Sequence, residues 1–240
     1  MSRRVALVTG SSSGIGAQVA RRLASDGFTV VINSRTSVEA GCAVSDEIGG
    51  SYIQADVGEP DEGRRLVAEV VDRHGRLDVL VNNAGTTVRI PHSDLPTATP
   101  EIWRSIMDVN VIAPVVLITA AEAALRSAKG CVINMTSVAG LRAVGSSVPY
   151  AASKAALNHV TCLLAKALGP DIRVNAVAPG LIDTPWTADW HEARSQVQAK
   201  APLRRSGTPD DIAEIVLALV RSTYVTGQVV TVDGGLTLVT

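Results

Sequence analysis

The chain has 240 residues, of which 46% are hydrophobic and only 3% are aromatic, and its formal net charge at pH 7 is −1. This length and apolar fraction predict one large domain, spanning residues 1–240, with a core of Val, Ala, Leu and Ile. No run of Lys or Arg exceeds two residues, which argues against nucleic acid or an anionic membrane surface as partner. Small molecules are the expected partners.

The most apolar stretch, VIAPVVLITAA, contains Pro114 and ends at Glu122, so it is shorter than a membrane span. Cys42, Cys131 and Cys162 are odd in number and lack CxxC or Cys/His spacing. Buried free thiols in a reducing compartment are expected, with neither a disulfide nor a metal site. A cytoplasmic protein is therefore predicted.

Short runs of β-branched residues alternate with longer helical patterns. The predicted strands are, in chain order, RVALVT, TVVIN, YIQAD, LDVLVNN, GCVINMT, IRVNAVA and QVVTVD. The predicted helices run through IGAQVARRLA, VEAGCAVSDEI, EGRRLVAEVVDRH, EIWRSIMDVNVIAPVVLITAAEAALR, a segment starting near Pro149, and DDIAEIVLALV. This alternation implies parallel strands joined by right-handed crossovers, with helices on both faces. The expected fold is a single α/β domain of the doubly wound Rossmann type, with about seven parallel strands.

Two connections are longer than a minimal turn, about Thr86 to Pro100 and Leu181 to Gly207. Both follow the carboxyl ends of predicted strands, where open α/β sheets bind ligands. We expect them to form a substrate-binding wall and a lid, the lid covering about residues 181–207. The alternative is that they are tolerated surface insertions.

The segment TGSSSGIG, Thr9 to Gly16, lies between the first predicted strand and helix. Its glycines permit a tight turn, and the helix N-terminus offers free N–H groups to a pyrophosphate. The same letters contain GSSSG, which matches the nucleophile elbow of hydrolases with Ser12 as the nucleophile. That alternative is weaker, because such elbows normally follow several strands and no downstream Asp with a late His stands out.

Several motifs occur in one order: TGSSSGIG, NNAG at 82–85, Asn110, the serine of NMTSVAG, YAASK and Pro179-Gly180. Together they resemble the compact form of the short-chain dehydrogenase/reductase family, including its 3-oxoacyl-carrier-protein reductases. The resemblance covers nearly the whole chain, ending in YVTGQVVTVDGG. It implies four catalytic residues, Asn110, Ser137, Tyr150 and Lys154.

The spacing of Tyr150 and Lys154 suits proton transfer. A free phenol, with a pKa near 10, is a poor base at neutral pH. Lys154 lies one helical turn further on, so its ammonium is expected to lower the pKa of Tyr150. Ser137 would donate a hydrogen bond to the substrate oxygen, and the resemblance implies that Asn110 holds a water linking Lys154 to solvent. Each of these residues taken alone also has an ordinary structural interpretation. Tyr150 and Lys154 could be a pair on a helix surface, and Ser137 and Asn110 could be local capping or backbone-bonding residues.

The resemblance also implies a set of cofactor-binding residues. At the glycine turn these are Gly10, Ser12, Ser13, Gly14, Ile15 and Gly16. Asp56 and Val57 would meet the adenine edge, and Asn83, Ala84 and Gly85 the adenosine ribose. Tyr150, Lys154, Pro179, Gly180, Ile182 and Thr184 would approach the nicotinamide and its ribose. For Asn83 a structural role, tying neighbouring strands together, is an equal alternative.

The segment VVINSRT bears on the choice of cofactor. An acidic residue after the second strand binds the adenosine ribose and repels a 2′-phosphate, whereas an Arg attracts it. Ser34 stands at that position and Arg35 follows, with Asn33 as a further polar neighbour. NADP(H) is therefore the predicted cofactor, and NAD(H) the second choice. The alternative is that Arg35 is only a solvated charge.

The sequence thus predicts an NADP(H)-dependent oxidoreductase that interconverts a ketone and a secondary alcohol, with 3-oxoacyl thioesters as one expected substrate class. The alternatives are an NAD-dependent alcohol or polyol dehydrogenase and a catalytically inactive nucleotide-binding module. A homotetramer is expected, because the helix around Ile112 to Ala124 and the Ala-rich helix after Tyr150 resemble the family's shared interface. Trp186, Trp190 and His191 are expected to anchor the lid.

Overall fold

Seven parallel strands form the centre of the molecule in the computed structural model, which describes residues 3–239. Their order across the sheet is β3-β2-β1-β4-β5-β6-β7. The strands are β1 (Val5–Val8), β2 (Thr29–Ser34), β3 (Ser51–Gln54), β4 (Val79–Asn82), β5 (Cys131–Met135), β6 (Arg173–Pro179) and β7 (Val229–Val232). The strand order reverses between β1 and β4, which opens a crevice at their carboxyl ends.

Helices cover both faces of this sheet. They are α1 (Gly14–Ser25), α2 (Val38–Ile48), α3 (Pro60–His74), α4 (Pro100–Met107), α5 (Ala113–Ala128), α6 (Val148–Leu168), α7 (His191–Lys200) and α8 (Pro209–Arg221). In β1, Ala6 and Val8 face α1 and α8, whereas Val5 and Leu7 face α3 and α5. Alternate residues of a strand point to opposite faces, so a strand that is buried on both sides reads as an apolar run. The predicted doubly wound α/β fold is confirmed.

The predicted helix from Glu101 to Arg126 is continuous but not uniform. A π-helical turn, Asp108–Ile112, joins α4 to α5. The whole segment, Pro100–Ala128, has a mean hydropathy of 1.7 over its most apolar window and passes for a membrane span by length and composition, with 44% of that window buried. This helical segment is longer than the apolar stretch that ends at Glu122, because Pro114 does not interrupt the helix. Since α5 packs on α3 and on β4, it is a core helix of this fold.

The cysteines are free, but only Cys131 is buried. Cys42 is partly buried, and Cys162 is exposed on α6, where its thiol donates to the carbonyl of Gly227 at 3.4 Å. The expectation of three buried thiols was therefore wrong for these two. Position 162 lies on the outer face of α6, whereas the neighbouring Thr161 is fully buried.

Both long connections are tied to the body of the domain. The first is joined to the segment before α6 by a hydrogen bond from the Ile90 amide to the Ser146 carbonyl (2.9 Å) and by a contact between the Thr87 and Ser146 hydroxyls (2.6 Å). The second contains a 3-10 turn, Pro185–Thr187, and α7, and its ends meet in a bridge between Ile182 and Gly207. Each connection thus forms one wall of the crevice.

Candidate active site

A cleft of about 1320 Å³ opens at the carboxyl ends of β1, β4, β5 and β6. Every residue predicted to bind the cofactor lines it, from the glycine turn to Thr184. Of the four predicted catalytic residues, Ser137, Tyr150 and Lys154 line the cleft, and Asn110 lies buried behind its wall. The positions that the sequence spreads over 175 residues, from Gly10 to Thr184, therefore meet at one place.

The glycine turn packs too closely against the end of β4 for side chains at Gly10 and Gly16. Gly10 has φ +61°, and a Cβ there would lie 2.9 Å from the Cα of Ala84. A Cβ at Gly16 would lie 2.4 Å from the amide nitrogen of the Asn83 side chain. The side chain of Ser13, which precedes α1, makes no capping hydrogen bond, and no acidic residue lies in the first turn. This helix N-terminus therefore fits the pyrophosphate of a dinucleotide.

Asn83 holds the glycine turn against the end of β4. Its side-chain amide donates to the carbonyls of Thr9 (2.9 Å) and Gly10 (3.0 Å), and its backbone N–H donates to the Thr9 hydroxyl (3.1 Å). These contacts give Asn83 the strand-tying role. A contact with the ribose stays a prediction.

At the end of β2, Arg35 is the charged residue that faces the cleft. Its side chain is 67% exposed and lies 3.6 Å from a carboxylate oxygen of Asp56. The Ser34 hydroxyl instead donates to the Ser37 carbonyl (3.1 Å) and lies 2.9 Å from the Tyr52 hydroxyl. The buried amide of Asn33 donates to backbone carbonyls of the β3 region. Arg35 is therefore the charged, exposed group that this segment places at the cleft.

Tyr150 and Lys154 share one face of α6. The Ser147 hydroxyl caps the helix by accepting from the Tyr150 amide (3.4 Å), so Tyr150 lies in the first turn. The Lys154 ammonium lies 5.7 Å from the centre of the Tyr150 ring and donates to the Met135 carbonyl at 2.9 Å. Ser137, just after β5, accepts from the Ala139 amide at 3.1 Å. The three predicted catalytic side chains thus converge at the end of β5.

Burial shifts the pKa values of Tyr150 and Lys154 in the directions that favour their neutral forms. Burial raises the pKa of Tyr150, and the hydrogen bond from Ser137 opposes that rise only in part. Burial lowers the pKa of Lys154 to about 8. The expectation that Lys154 depresses the pKa of Tyr150 was therefore wrong: removal of the phenol from water outweighs its neighbours. The resting Tyr150 phenol is therefore neutral.

Asn110 lies in the π-helical turn and is fully buried. Its side-chain oxygen accepts from the Thr86 amide (2.8 Å), and its nitrogen donates to the Thr86 carbonyl and to the Ser153 hydroxyl (both 3.0 Å). The side chain therefore holds the loop after β4 against α6. Pro114, four residues on, has no N–H to offer the Asn110 carbonyl. A water relay at this position stays a prediction.

The part of the cleft that the two long connections line is called its substrate half, and it contains residues that the sequence did not assign to catalysis or cofactor binding. Arg89 lies over the ring of Trp190, with the guanidinium carbon 5.4 Å from the ring centre. Trp186 meets the ring of Tyr150 edge to face, with centroids 6.5 Å apart. The two tryptophans in the loop after β6 were the available signal, but the sequence favoured a lid-anchoring role.

Ser12 has no basic partner of the kind a hydrolase requires. Within residues 3–239 no hydrogen bond joins its hydroxyl to a histidine, and the two histidines of the cleft, His92 and His191, line its substrate half. Ser12 instead lies in the glycine turn, just before α1, and lines the cleft. The nucleophile-elbow interpretation is not supported. Nor do residues 3–239 contain a group of three metal-ligating side chains.

Comparison with known proteins gives consistent matches over the whole fold. A family model described as "Enoyl-(Acyl carrier protein) reductase" matches residues 10–237. The "Granaticin polyketide synthase putative ketoacyl reductase 2" of Streptomyces violaceoruber is 54% identical, over 96% of this chain and 95% of its own. The 3-oxoacyl-acyl-carrier-protein reductase FabG of Thermotoga maritima is 36% identical, over 98% of each chain.

Solved structures give the same result. A short-chain dehydrogenase/reductase structure from Burkholderia xenovorans has a TM-score of 0.92 at 37% identity and covers 99% of each chain. A blue fluorescent protein from a metagenomic library, in complex with NADPH, has a TM-score of 0.90 at 38% identity and covers 98% of each chain. The chain belongs to the short-chain dehydrogenase/reductase family and is an oxidoreductase that acts on CH–OH and C=O groups.

Proposed function

We propose that the protein is an NADP(H)-dependent carbonyl reductase that interconverts ketones and secondary alcohols, with 3-oxoacyl thioesters as a substrate class. The observation that carries this proposal is the convergence of Ser137, Tyr150 and Lys154 beside a cradle for a dinucleotide. The ketoacyl reductase names of the relatives support the substrate class. A cytoplasmic location, which we also propose, fits the three free thiols.

The side chains supply the proton and the charge for carbonyl reduction. When bound in this cleft, a nicotinamide would supply the hydride for the carbonyl carbon. Tyr150 donates its hydroxyl proton to the carbonyl oxygen, and Ser137 donates a second hydrogen bond to that oxygen. Lys154, mostly protonated at pH 7 with a pKa of about 8, stabilises the phenolate left on Tyr150. In alcohol oxidation each of these steps is reversed.

The reacting bond is tested by comparing two thioesters. We expect the purified protein to consume NADPH with acetoacetyl-CoA, because Tyr150 and Ser137 are placed to protonate and bind a carbonyl oxygen. Crotonyl-CoA, which offers a C=C bond, should react at least tenfold more slowly. A protein that reduces crotonyl-CoA and leaves acetoacetyl-CoA untouched would instead be the enoyl reductase that the family description names.

Cofactor choice is proposed to depend on Arg35. A charge-assisted hydrogen bond to the 2′-phosphate is worth about 1.5–3 kcal/mol, so NADPH should bind on the order of 10- to 100-fold more tightly than NADH. Arg35→Ala should abolish most of that preference. Arg64→Ala is the matched control, since Arg64 is also exposed and ion-paired but lies outside the cleft.

Titration of both cofactors into each variant, followed by nicotinamide fluorescence, measures this preference. Equal affinities in the wild type, or an Arg35→Ala protein that keeps the wild-type preference, would remove Arg35 from the site. An NAD-dependent dehydrogenase would show the opposite order of affinities.

A homotetramer is proposed because two helical segments carry exposed apolar side chains. Ile112, between α4 and α5, is 46% exposed, and Leu163 on α6 is 54% exposed. Both residues lie on the helices that resemble the family's shared interface, so we propose that a partner chain covers them. Light scattering should give the mass of four 25.0 kDa chains, and Leu163→Glu should lower it. Leu95→Glu, at a 65% exposed position elsewhere, is the control. A wild type that stays monomeric at micromolar concentration contradicts the proposal.

A further inference from the structure

Aromatic side chains are concentrated at the substrate end of the cleft. The chain has only three Trp, three Tyr and one Phe among 240 residues. Tyr150, Trp186 and Trp190 all line this one cleft. Ligand pockets use aromatic rings to bury and orient apolar groups, so this placement indicates that ring surface takes part in substrate binding.

Trp186 keeps free ring surface beside the proton donor. Its ring lies 84° to that of Tyr150, in an edge contact, and the residue remains 50% exposed. A tryptophan that only anchored the lid would be buried beneath it. Trp186 lines the cleft, next to the phenol that must approach the carbonyl.

Trp190 is less available, because Arg89 covers it. The guanidinium lies over its ring at 5.4 Å, which is the geometry of a cation–π contact. Trp186 is thus the more exposed of the two tryptophans in the cleft.

The backbone under Trp186 is fixed by a compact set of hydrogen bonds. The Thr187 hydroxyl donates to the Ile182 carbonyl at 2.6 Å and accepts from the Thr184 amide at 3.2 Å. These hydrogen bonds fix the backbone of the turn Pro185–Thr187, which carries the indole. A fixed binding surface loses little conformational entropy when a ligand stacks on it.

We propose that Trp186 is a specificity-determining residue that selects ketones with a flat aromatic ring close to the reacting carbonyl. The ring of the substrate stacks on the indole while its carbonyl oxygen meets Tyr150. This inference rests on the proposed carbonyl reductase function. It adds to the proposed 3-oxoacyl thioesters a group of preferred substrates, ketones that carry an aromatic ring close to the carbonyl.

Two ketones with the same carbon skeleton test it. In 2-tetralone one ring is aromatic, in 2-decalone both rings are saturated, and in neither is the carbonyl conjugated. We expect Trp186→Ala to lower the ratio of kcat/KM for 2-tetralone to kcat/KM for 2-decalone by about three- to tenfold, the scale of one ring stack. Trp186→Phe should keep most of the wild-type ratio. Tyr224→Ala, at a fully exposed aromatic outside the cleft, should leave it unchanged.

A ratio that Trp186→Ala leaves within experimental error of the wild type would overturn the inference, with the carbonyl reductase function intact. A wild type that reduces neither ketone nor acetoacetyl-CoA would instead remove the proposed function.

Binding of 2-naphthol, measured by calorimetry, tests the contact of Trp186 with an aromatic ring in that case, because it requires no turnover. Three- to tenfold weaker binding in Trp186→Ala, and none of that loss in Tyr224→Ala, supports the inference; binding that is absent from the wild type, or equal in wild type and Trp186→Ala, refutes it.

Discussion

Tyr150→Phe is expected to lower kcat for ketone reduction by a factor on the order of 10² or more, the contribution of a positioned proton donor. The substitution keeps the ring, and with it the edge contact to Trp186. It removes only the hydroxyl that the structure holds neutral by burial. Steady-state kinetics with acetoacetyl-CoA and NADPH measure the change.

Cofactor binding is the control for this variant. NADPH should bind Tyr150→Phe with an affinity within about threefold of the wild type, because the glycine turn and Arg35 are untouched. Retained turnover would exclude Tyr150 as the proton donor. Loss of NADPH binding would show that the hydroxyl acts through the cofactor site.

Lys154→Met should affect activity and stability in opposite directions. Turnover is expected to fall on the order of 10²-fold, since the phenolate of Tyr150 loses its neighbouring cation. The folded protein should gain about 1–3 kcal/mol of unfolding free energy at pH 7, because Met removes a buried ammonium whose pKa is lowered from 10.5 to about 8. The lost hydrogen bond to the Met135 carbonyl sets the lower end of that range.

The pH dependence identifies the source of this gain. Below a pH of about 8, Lys154 is charged in both the folded and the unfolded chain, so the wild type carries the full cost of burial. Between about 8 and 10.5 the folded lysine is neutral while the unfolded one still binds a proton, so wild-type stability rises with pH. Urea unfolding at pH 7 and near pH 10 should therefore show the advantage of Lys154→Met shrinking. An advantage that does not change with pH would assign it to packing instead.

Most of the fold follows from local patterns in the sequence. Each of the seven predicted strand segments overlaps an observed strand, because parallel strands buried on both faces read as short apolar runs. The π-helical turn at Asp108–Ile112 was not predicted, since apolar periodicity does not distinguish it from α-helix. Pro114 lies just after that turn and was interpreted only as an interruption.

Site residues were predictable where a motif fixes their place on the sheet. The glycine turn, Ser137 and the Tyr150–Lys154 pair all lie at carboxyl ends of strands or in the first turns of the following helices. Properties that depend on burial were not predictable. The raised pKa of Tyr150 and the engagement of Ser34 by Tyr52 both arise from neighbours distant in sequence.

The substrate end of the cleft shows the same limit. Trp186 and Arg89 stand about a hundred residues apart, in connections without a regular pattern. Only the folded chain shows that Arg89 covers Trp190 and leaves Trp186 beside Tyr150. Their positions relative to Tyr150 therefore could not be predicted from the sequence.

The proposed carbonyl reductase function is tested most directly by following NADPH absorbance and alcohol product together, with acetoacetyl-CoA as substrate and with wild type and Tyr150→Phe side by side. We predict that the wild type forms one 3-hydroxyacyl thioester for each NADPH oxidised. Tyr150→Phe should do so on the order of 10²-fold more slowly. NADPH oxidation without alcohol formation, or equal rates in the two proteins, would contradict the proposed reaction.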